Sequence, residues 1–317
     1  MKQHLTVLRS LLTQHRPWHR IVSAVAVLLS VGFLSWTAYN SWDALKQYSW
    51  QIHYVGLVPS FALYLVQTAI VVWAWQSVMN SVAHPLSFRE HARIYALTNL
   101  MRRIPVGMLW VVAGRAYAYK DQHVSAGKSA FGSILEMWLI VWTALPLAAL
   151  AGSALGFLPH AIGVALAGAS SVLNLFMLHP RMLDRTFRWI GRQRVPAVLT
   201  YGTTLTWGVM YTLVWLTSGA GLFAMVRLFT NIPMEKLPAT IGVWVLSSLV
   251  SYLTLLSPSG LGVKEFSLTV LLGVFLPDPL PLLTAIAMRL VWTIYDVVVG
   301  LVALLLKRWT VCPANGL

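Results

Sequence analysis

The sequence predicts an all-α polytopic integral membrane protein, with six long spans and two broken, re-entrant helical hairpins arranged as an inverted repeat. Three observations predict it. Of 317 residues, 58% are apolar and 10% charged, a balance that a water-soluble chain of this size has no interior large enough to bury. Apolar runs of about 20 residues, the length a helix needs to cross the hydrocarbon core, recur along the chain. Two further stretches, about 91–119 and 240–276, are apolar but interrupted by Pro and Gly.

The formal charge of +14 does not mark a nucleic-acid footprint. Lys and Arg sit in the short segments between apolar runs rather than on one continuous face, which is a topology signal. Cys312 is the single cysteine, so an intramolecular disulfide and a CxxC site are excluded. The nine histidines fall in loops or at the ends of apolar runs, without an i, i+4 pair to chelate zinc. Gly127-Lys128-Ser129 imitates the end of a phosphate-binding loop, but Gln122 stands where the earlier Gly is required. Ser125 and Lys128 have an SxxK spacing without its partner motifs. No cofactor, metal or enzymatic activity is expected.

Taken in order, residues 1–20 are basic, with Leu5, Leu8 and Leu12 on one helical face and Lys2, Arg9, Arg16 and Arg20 polar. They suit either a cytoplasmic interfacial helix or a basic tail. The run 21–33 lacks a small-residue cleavage site and reads as a retained first span. Spans follow at 55–79, 129–157, 161–177, 201–229 and 282–306. The N-terminus, 84–128, 181–194 (five Arg against Asp184) and Lys307-Arg308 are basic, which places them in the cytoplasm. Segments 40–54, 157–160, 230–239 and 277–281 carry little net charge and fall outside. The result is one transmembrane domain, 21–308, with repeat halves at about 55–157 and 201–306 and a basic cytoplasmic linker, 179–198. A cytoplasmic tail, 309–317, follows. Both termini are cytoplasmic, and the expected location is the plasma (bacterial inner) membrane. Gly152, Gly156, Ala161, Gly163, Ala167 and Gly168 permit close helix approach, and Trp18, Trp42, Trp50 and Trp189 suit an interfacial aromatic belt.

The first broken region runs apolar over 94–101, is interrupted by Arg102-Arg103-Ile104-Pro105-Val106-Gly107, and resumes over 108–113 before Arg115. The second runs over 243–256, is interrupted by Ser257-Pro258-Ser259-Gly260-Leu261-Gly262-Val263-Lys264-Glu265, and resumes over 266–275. Pro removes a backbone donor and Gly opens turns closed to other residues, so both tips are expected to be non-helical. Such backbone survives at membrane depth only beside protein or a wet cavity. The alternation puts the first hairpin on the cytoplasmic side and the second on the outer side. The same 31 residues separate Pro105 from Glu136 and Pro258 from Arg289. Broken segments at matching places in two halves point to a transporter's midplane site.

Glu136, Arg289 and Asp296 lie inside apolar spans, where a charge costs about 3 kcal/mol on insertion scales and needs a partner or a cavity. The expectation is that Glu136 and Arg289 approach each other across the repeat. Asp296, seven residues after Arg289, shares its helical face. The set serves either as a translocation track or as a packing ion pair. Arg102, Arg103, Arg115 and Lys264 flank the tips and suit an anionic phosphate headgroup, although Arg102 and Arg103 also read as positive-inside anchors. Glu265 is a candidate partner for Lys264. The candidate translocation residues are Arg102, Arg103, Pro105, Gly107, Arg115, Glu136, Pro258, Gly260, Gly262, Lys264, Glu265, Arg289 and Asp296.

The stretch Ser257-Pro-Ser-Gly-Leu-Gly-Val-Lys-Glu265, followed by an apolar helix and then Ala287-Met-Arg289-Leu-Val-Trp-Thr293, resembles the lysylphosphatidylglycerol synthase transmembrane (flippase-like) family. That family commonly has Pro-Gly-Gly-Leu-Gly-Val-Arg-Glu there and an Arg in the last long span. Pro105-Val-Gly107 and Arg115 resemble its first motif, Pro-Gly-Gly followed by an Arg. Ser259 stands in place of a Gly and Lys264 in place of the Arg. The resemblance covers roughly 20–308. It implies a module that moves a phospholipid or lipid-linked headgroup between leaflets, with anionic membrane lipids as partners and without the soluble synthase domain. The alternative expectation is a non-catalytic subunit partnering a membrane-associated lipid-modifying or glycosyl-transferring enzyme. For it, the basic loop at 180–194 offers Leu183, Phe187 and Ile190 on one face.

Overall fold

The computed structural model describes residues 32, 35, 36, 39, 42–47, 56–101, 109–191, 199–253 and 262–309. The N-terminal segment, the expected first span apart from Gly32, and the tail at 310–317 lie outside the described residues. So do the hairpin tips with Arg102, Arg103, Pro105, Gly107, Pro258 and Gly260.

Among the described residues every regular element is helical. The order is α1 (Trp42–Gln47), α2 (Leu57–Val82), α3 (Phe88–Met101), α4 (Leu109–Lys120), α5 (Ala126–Ala154), α6 (His160–Met177), α7 (Pro180–Gly191) and α8 (Tyr201–Val226). A short 3-10 turn (Met234–Lys236), α9 (Leu237–Leu253), α10 (Val263–Leu272) and α11 (Leu280–Trp309) complete it. Five helices, α2, α5, α6, α8 and α11, are long and apolar enough to cross a membrane. They coincide with the five expected spans after the first.

Local chemistry sets the ends of these helices. The Ser125 hydroxyl accepts the Lys128 N–H at the start of α5, and Thr200 accepts the Thr203 N–H at the start of α8, each satisfying one orphan donor of a first turn. Gly127-Lys128-Ser129 is thus the opening turn of a helix. Gly156, at φ +77°, closes the turn after α5 in the left-handed region that a Cβ disfavours.

Helices α2 and α8 run antiparallel along each other. Gly56 abuts Ala224, the Ser60 hydroxyl donates to the Gly221 carbonyl (3.2 Å), and the Trp207 indole donates to the Ser77 hydroxyl (2.8 Å). As residue numbers climb on one helix they fall on the other. Around this pair α3 packs on α11 while α9 packs on α5, and α4 packs on α5 while α10 packs on α11. Two apolar cores result. One joins Tyr64, Leu222, Trp244, Leu268, Met288 and Trp292. The other joins Trp75, Met79, Leu135, Tyr119, Leu183 and Trp207.

The outward faces are apolar. On α11, Leu290, Ile294, Val298, Leu301 and Leu305 are exposed at three- and four-residue spacing while Asp296 points inward; on α6, Ile162, Leu166, Val172 and Phe176 are exposed. Apolar faces of this extent suit lipid rather than water.

Two packing expectations are corrected. Helix α7 buries Leu183 and Phe187 of its expected apolar face, with Phe187 stacked edge-on against Phe131 at 5.0 Å, while the Ile190 side chain lies outside the described ones. Its charged face, with Arg181, Arg185 and Arg188, is the exposed one. Of the small residues at the α5–α6 crossing, Gly163 meets Ser153, whereas Gly168 has nothing within 4 Å.

Candidate functional site

The charged residues inside the helices resolve into three clusters. In the first, Arg115 of α4 forms an ion pair with Glu136 of α5, both buried. The guanidinium lies between the Trp75 ring at 3.9 Å and the Tyr95 ring at 4.8 Å, and Tyr95 donates its hydroxyl to Glu136 (3.2 Å). Planar delocalised charge stacks on aromatic faces in this way at less desolvation cost than an ammonium. The Arg115 Nε remains buried without a hydrogen-bond partner among the described residues.

In the second cluster, Glu265 of α10 bonds Arg289 of α11 at 2.8 Å. Its other oxygen accepts the Gly262 N–H at 2.8 Å, so one carboxylate both caps α10 and holds the guanidinium. Gly262 sits at φ +84°, a conformation glycine adopts without a Cβ penalty. Lys264 places its ammonium 3.4 Å from the centre of the Trp244 ring and 5.8 Å from that of Trp292. These residues, with Leu268, Ala285 and Met288, line a small surface-open cleft. Arg289 is 23% exposed there, and among the described residues Glu265 is the one side chain that bonds its guanidinium. A guanidinium carries five N–H donors. One of them is spent on Glu265.

In the third cluster, Asp296 of α11 accepts the Tyr64 hydroxyl of α2 at 2.7 Å and the Asn99 amide of α3 at 3.1 Å. Tyr64 stacks on Trp292 at 4.4 Å, and Trp292 on Trp244 at 4.5 Å. An aromatic file thus links this cluster to the Lys264 cleft. Arg289, Trp292 and Asp296 do share the inner face of α11.

The expected approach of Glu136 to Arg289 is not what the structure shows. Each bonds a residue of the short helix just before its own long helix, Arg115 in one case and Glu265 in the other. The reason is covalent distance: the short helix just before each long span brings an opposite charge to it across a single crossing. Glu265, expected as a partner for Lys264, accepts from Arg289 and the Gly262 N–H, while Lys264 rests on Trp244.

The sequence did not mark Trp75, Tyr95, Trp244, Trp292, Tyr64 or Asn99 as site residues. Their signal was present in part: Trp292 lies midway between Arg289 and Asp296 at helical spacing. Histidines were set aside as loop or end residues, yet His91 in the first turn of α3 is buried. It is bonded to Tyr119 at 2.6 Å and to Asn80 at 3.0 Å. Compared with known proteins, the chain matches no protein-family model and no curated protein.

Proposed function

We propose that this chain is a lipid transporter of flippase type, moving a phospholipid or lipid-linked headgroup between leaflets through the Lys264–Arg289 cleft. The observation that carries the reading is the cleft itself, in which a guanidinium with spare donors and an ammonium face one small opening in an otherwise apolar helical body. Among the described lining residues Arg289 and Lys264 stand beside one carboxylate, Glu265, and Arg and Lys both serve phosphate oxygens. The cleft itself is small, with room for little more than the charged oxygens of a phosphate group between the two cations. In this reading the phosphate of a headgroup is held at the mouth of the cleft while acyl chains stay on the apolar outer surface.

The arrangement of helices supports an inverted repeat of re-entrant hairpins around this passage. Equivalent helices α2 and α8 run antiparallel, and the cross-packing is reciprocal, α3 on α11 and α9 on α5. Each half carries an ion pair between its second short helix and the long helix that follows, with the signs exchanged. In the first half Arg stands on the short helix and Glu on the long one; in the second half Glu is on the short helix and Arg on the long one. Inverted repeats of this kind support alternating access at their interface.

The docking-subunit alternative loses its apolar face on α7, which is turned into the core. The decisive measurement reconstitutes the purified chain in liposomes carrying fluorescent phospholipids with different headgroups and follows leaflet exchange. Exchange is expected for anionic headgroups and reduced in Arg289→Ala. Indistinguishable traces for wild type, Arg289→Ala and empty liposomes across the panel would overturn the reading.

A further inference from the structure

The first half contains a hydrogen-bonded chain that the transport reading does not use. Trp75 of α2 donates its indole N–H to the Tyr119 hydroxyl of α4 at 2.7 Å. Tyr119 Oη lies 2.6 Å from His91 Nδ1 on α3, and His91 Nε2 lies 3.0 Å from Asn80 Oδ1, back on α2. Directions in this chain are forced. An indole only donates, so Tyr119 accepts there and spends its one proton on Nδ1. Nδ1 must therefore be bare, and Nε2 carries the hydrogen to Asn80, whose Oδ1 also accepts the Leu86 N–H at 3.1 Å. His91 is held as the neutral Nε2–H tautomer.

A second proton has nowhere to go. On Nδ1 it would face the Tyr119 hydroxyl, which would have to surrender its own hydrogen bond and leave that hydrogen buried without an acceptor, an expensive state. The charged neighbours do not offset this. Helix α2 contributes no charged residue, α4 contributes Arg115 one turn before Tyr119 and stacked on the same Trp75 ring, α5 contributes Glu136, already bonded by Arg115 and Tyr95, and α11, which also packs on α3, contributes Asp296, bonded by Tyr64 and by Asn99 two turns along α3 from His91. Glu90 on α3 itself is the one acidic group that favours the cation, and it also accepts from Ser87 at the surface.

We propose that His91 is a proton-operated latch, holding α3 and α4 on α2 while neutral and releasing them when it takes up a proton. The latch ties together the two short helices that flank the first Pro-Gly tip and the long helix beside them. Trp75 is common to the latch and to the Arg115–Glu136 cluster, so release of Tyr119 also frees one face of the Arg115 stack. Helix α3 is not among the five spanning helices, and His91 follows the exposed Phe88 and Arg89, so protons reach it from the face where α3 begins.

The magnitude follows from linkage. Burial lowers the His91 pKa to about 4 in the latched arrangement, against an ordinary value of about 6.5 when the ring is exposed. Because the latched form binds the proton less well, acid favours release. At pH 5 the released fraction rises by about 30-fold over its neutral-pH value.

The test is hydrogen–deuterium exchange on the full chain in detergent at pH 7.5 and pH 5.0, with exchange times scaled to the intrinsic rates. Peptides covering α3 and α4 are expected to open about 30-fold more at pH 5.0, while peptides from α8 keep their protection. His91→Gln, which can accept from Tyr119 and donate to Asn80 without titrating, is expected to abolish the pH response. Tyr119→Phe, which raises basal opening but lets His91 titrate normally, is expected to shrink the response and serves if His91→Gln does not fold. Equal opening of α3 and α4 at the two pH values in wild type, or a full response in either variant, would overturn the latch. Backbone exchange does not depend on any substrate, so failure here and failure of lipid exchange are separate results.

Discussion

Tyr64 and Asp296 stand 232 residues apart in the chain and share a 2.7 Å hydrogen bond. Tyr64 belongs to the first long helix of one half and Asp296 to the last helix of the other. The bond, with that of Asn99 to the same oxygen, ties α2 and α3 to α11 at the seam between the halves. Hydrogen bonds to ionised groups are worth about 1.5–3 kcal/mol net. Tyr64→Phe, which keeps the stacking on Trp292 and Tyr295 and removes the donor, is expected to lower stability by about 1–3 kcal/mol. Thermal unfolding in detergent measures it, and an unchanged midpoint would show that the bond does not hold the seam.

The Arg115–Glu136 pair makes a sharper prediction because both charges are buried. Removing one partner strands the other in an apolar interior, at about 3–5 kcal/mol. Arg115→Met and Glu136→Gln are each expected to collapse yield and melting temperature. Arg115→Met combined with Glu136→Met is expected to recover most of the loss, since neither charge is then left alone. Double-mutant coupling near zero would mean that the two residues act independently.

What the sequence made legible is the helical class of fold and five of its long apolar spans. Length and unbroken apolar composition decide both, because each is a local property of a single run. The equal spacing of Glu136 and Arg289 from their prolines picked out two charged residues that the structure does place in ion pairs. It did not reveal their partners. Pairing depends on how α4 meets α5 and α10 meets α11, a tertiary relationship that neither spacing nor hydropathy encodes. The same limit hid Trp244 and Tyr64, whose apolar bodies are indistinguishable in sequence from core or belt aromatics until a cation or a carboxylate is brought beside them. It also hid the inward face of α7, whose amphipathic pattern fits a membrane surface as well as a neighbouring helix.

In the second half the prediction separates fold from function. Arg289→Lys retains a cation for Glu265 but loses the planar fork, and Arg-to-Lys exchange at such sites is not conservative. It is expected to leave the melting temperature close to wild type and to slow headgroup exchange about tenfold, equivalent to ~1.4 kcal/mol. Glu136→Arg combined with Arg289→Glu is not expected to restore function, because those two side chains have different partners. Recovery of exchange in that double variant would contradict the pairing described here.

Helix spacing beside the cleft gives the last prediction. A Cβ on Gly219 of α8 would sit 2.6 Å from the Ile241 Cα on α9, and a main-chain atom cannot swing aside as a side-chain tip can. The α8–α9 crossing would have to widen, and α9 also carries Trp244, the ring beneath Lys264. Gly219→Ala is therefore expected to cost about 1–3 kcal/mol through overpacking and to weaken headgroup exchange by displacing the Trp244 face. Gly168→Ala on α6 is the matched control. Nothing lies within 4 Å of its added methyl, and alanine's higher helix propensity should make it neutral or stabilising by up to about 1 kcal/mol. Melting curves and exchange rates for the two variants, taken side by side, distinguish tight packing at this crossing from a general intolerance of methyl groups in the bundle.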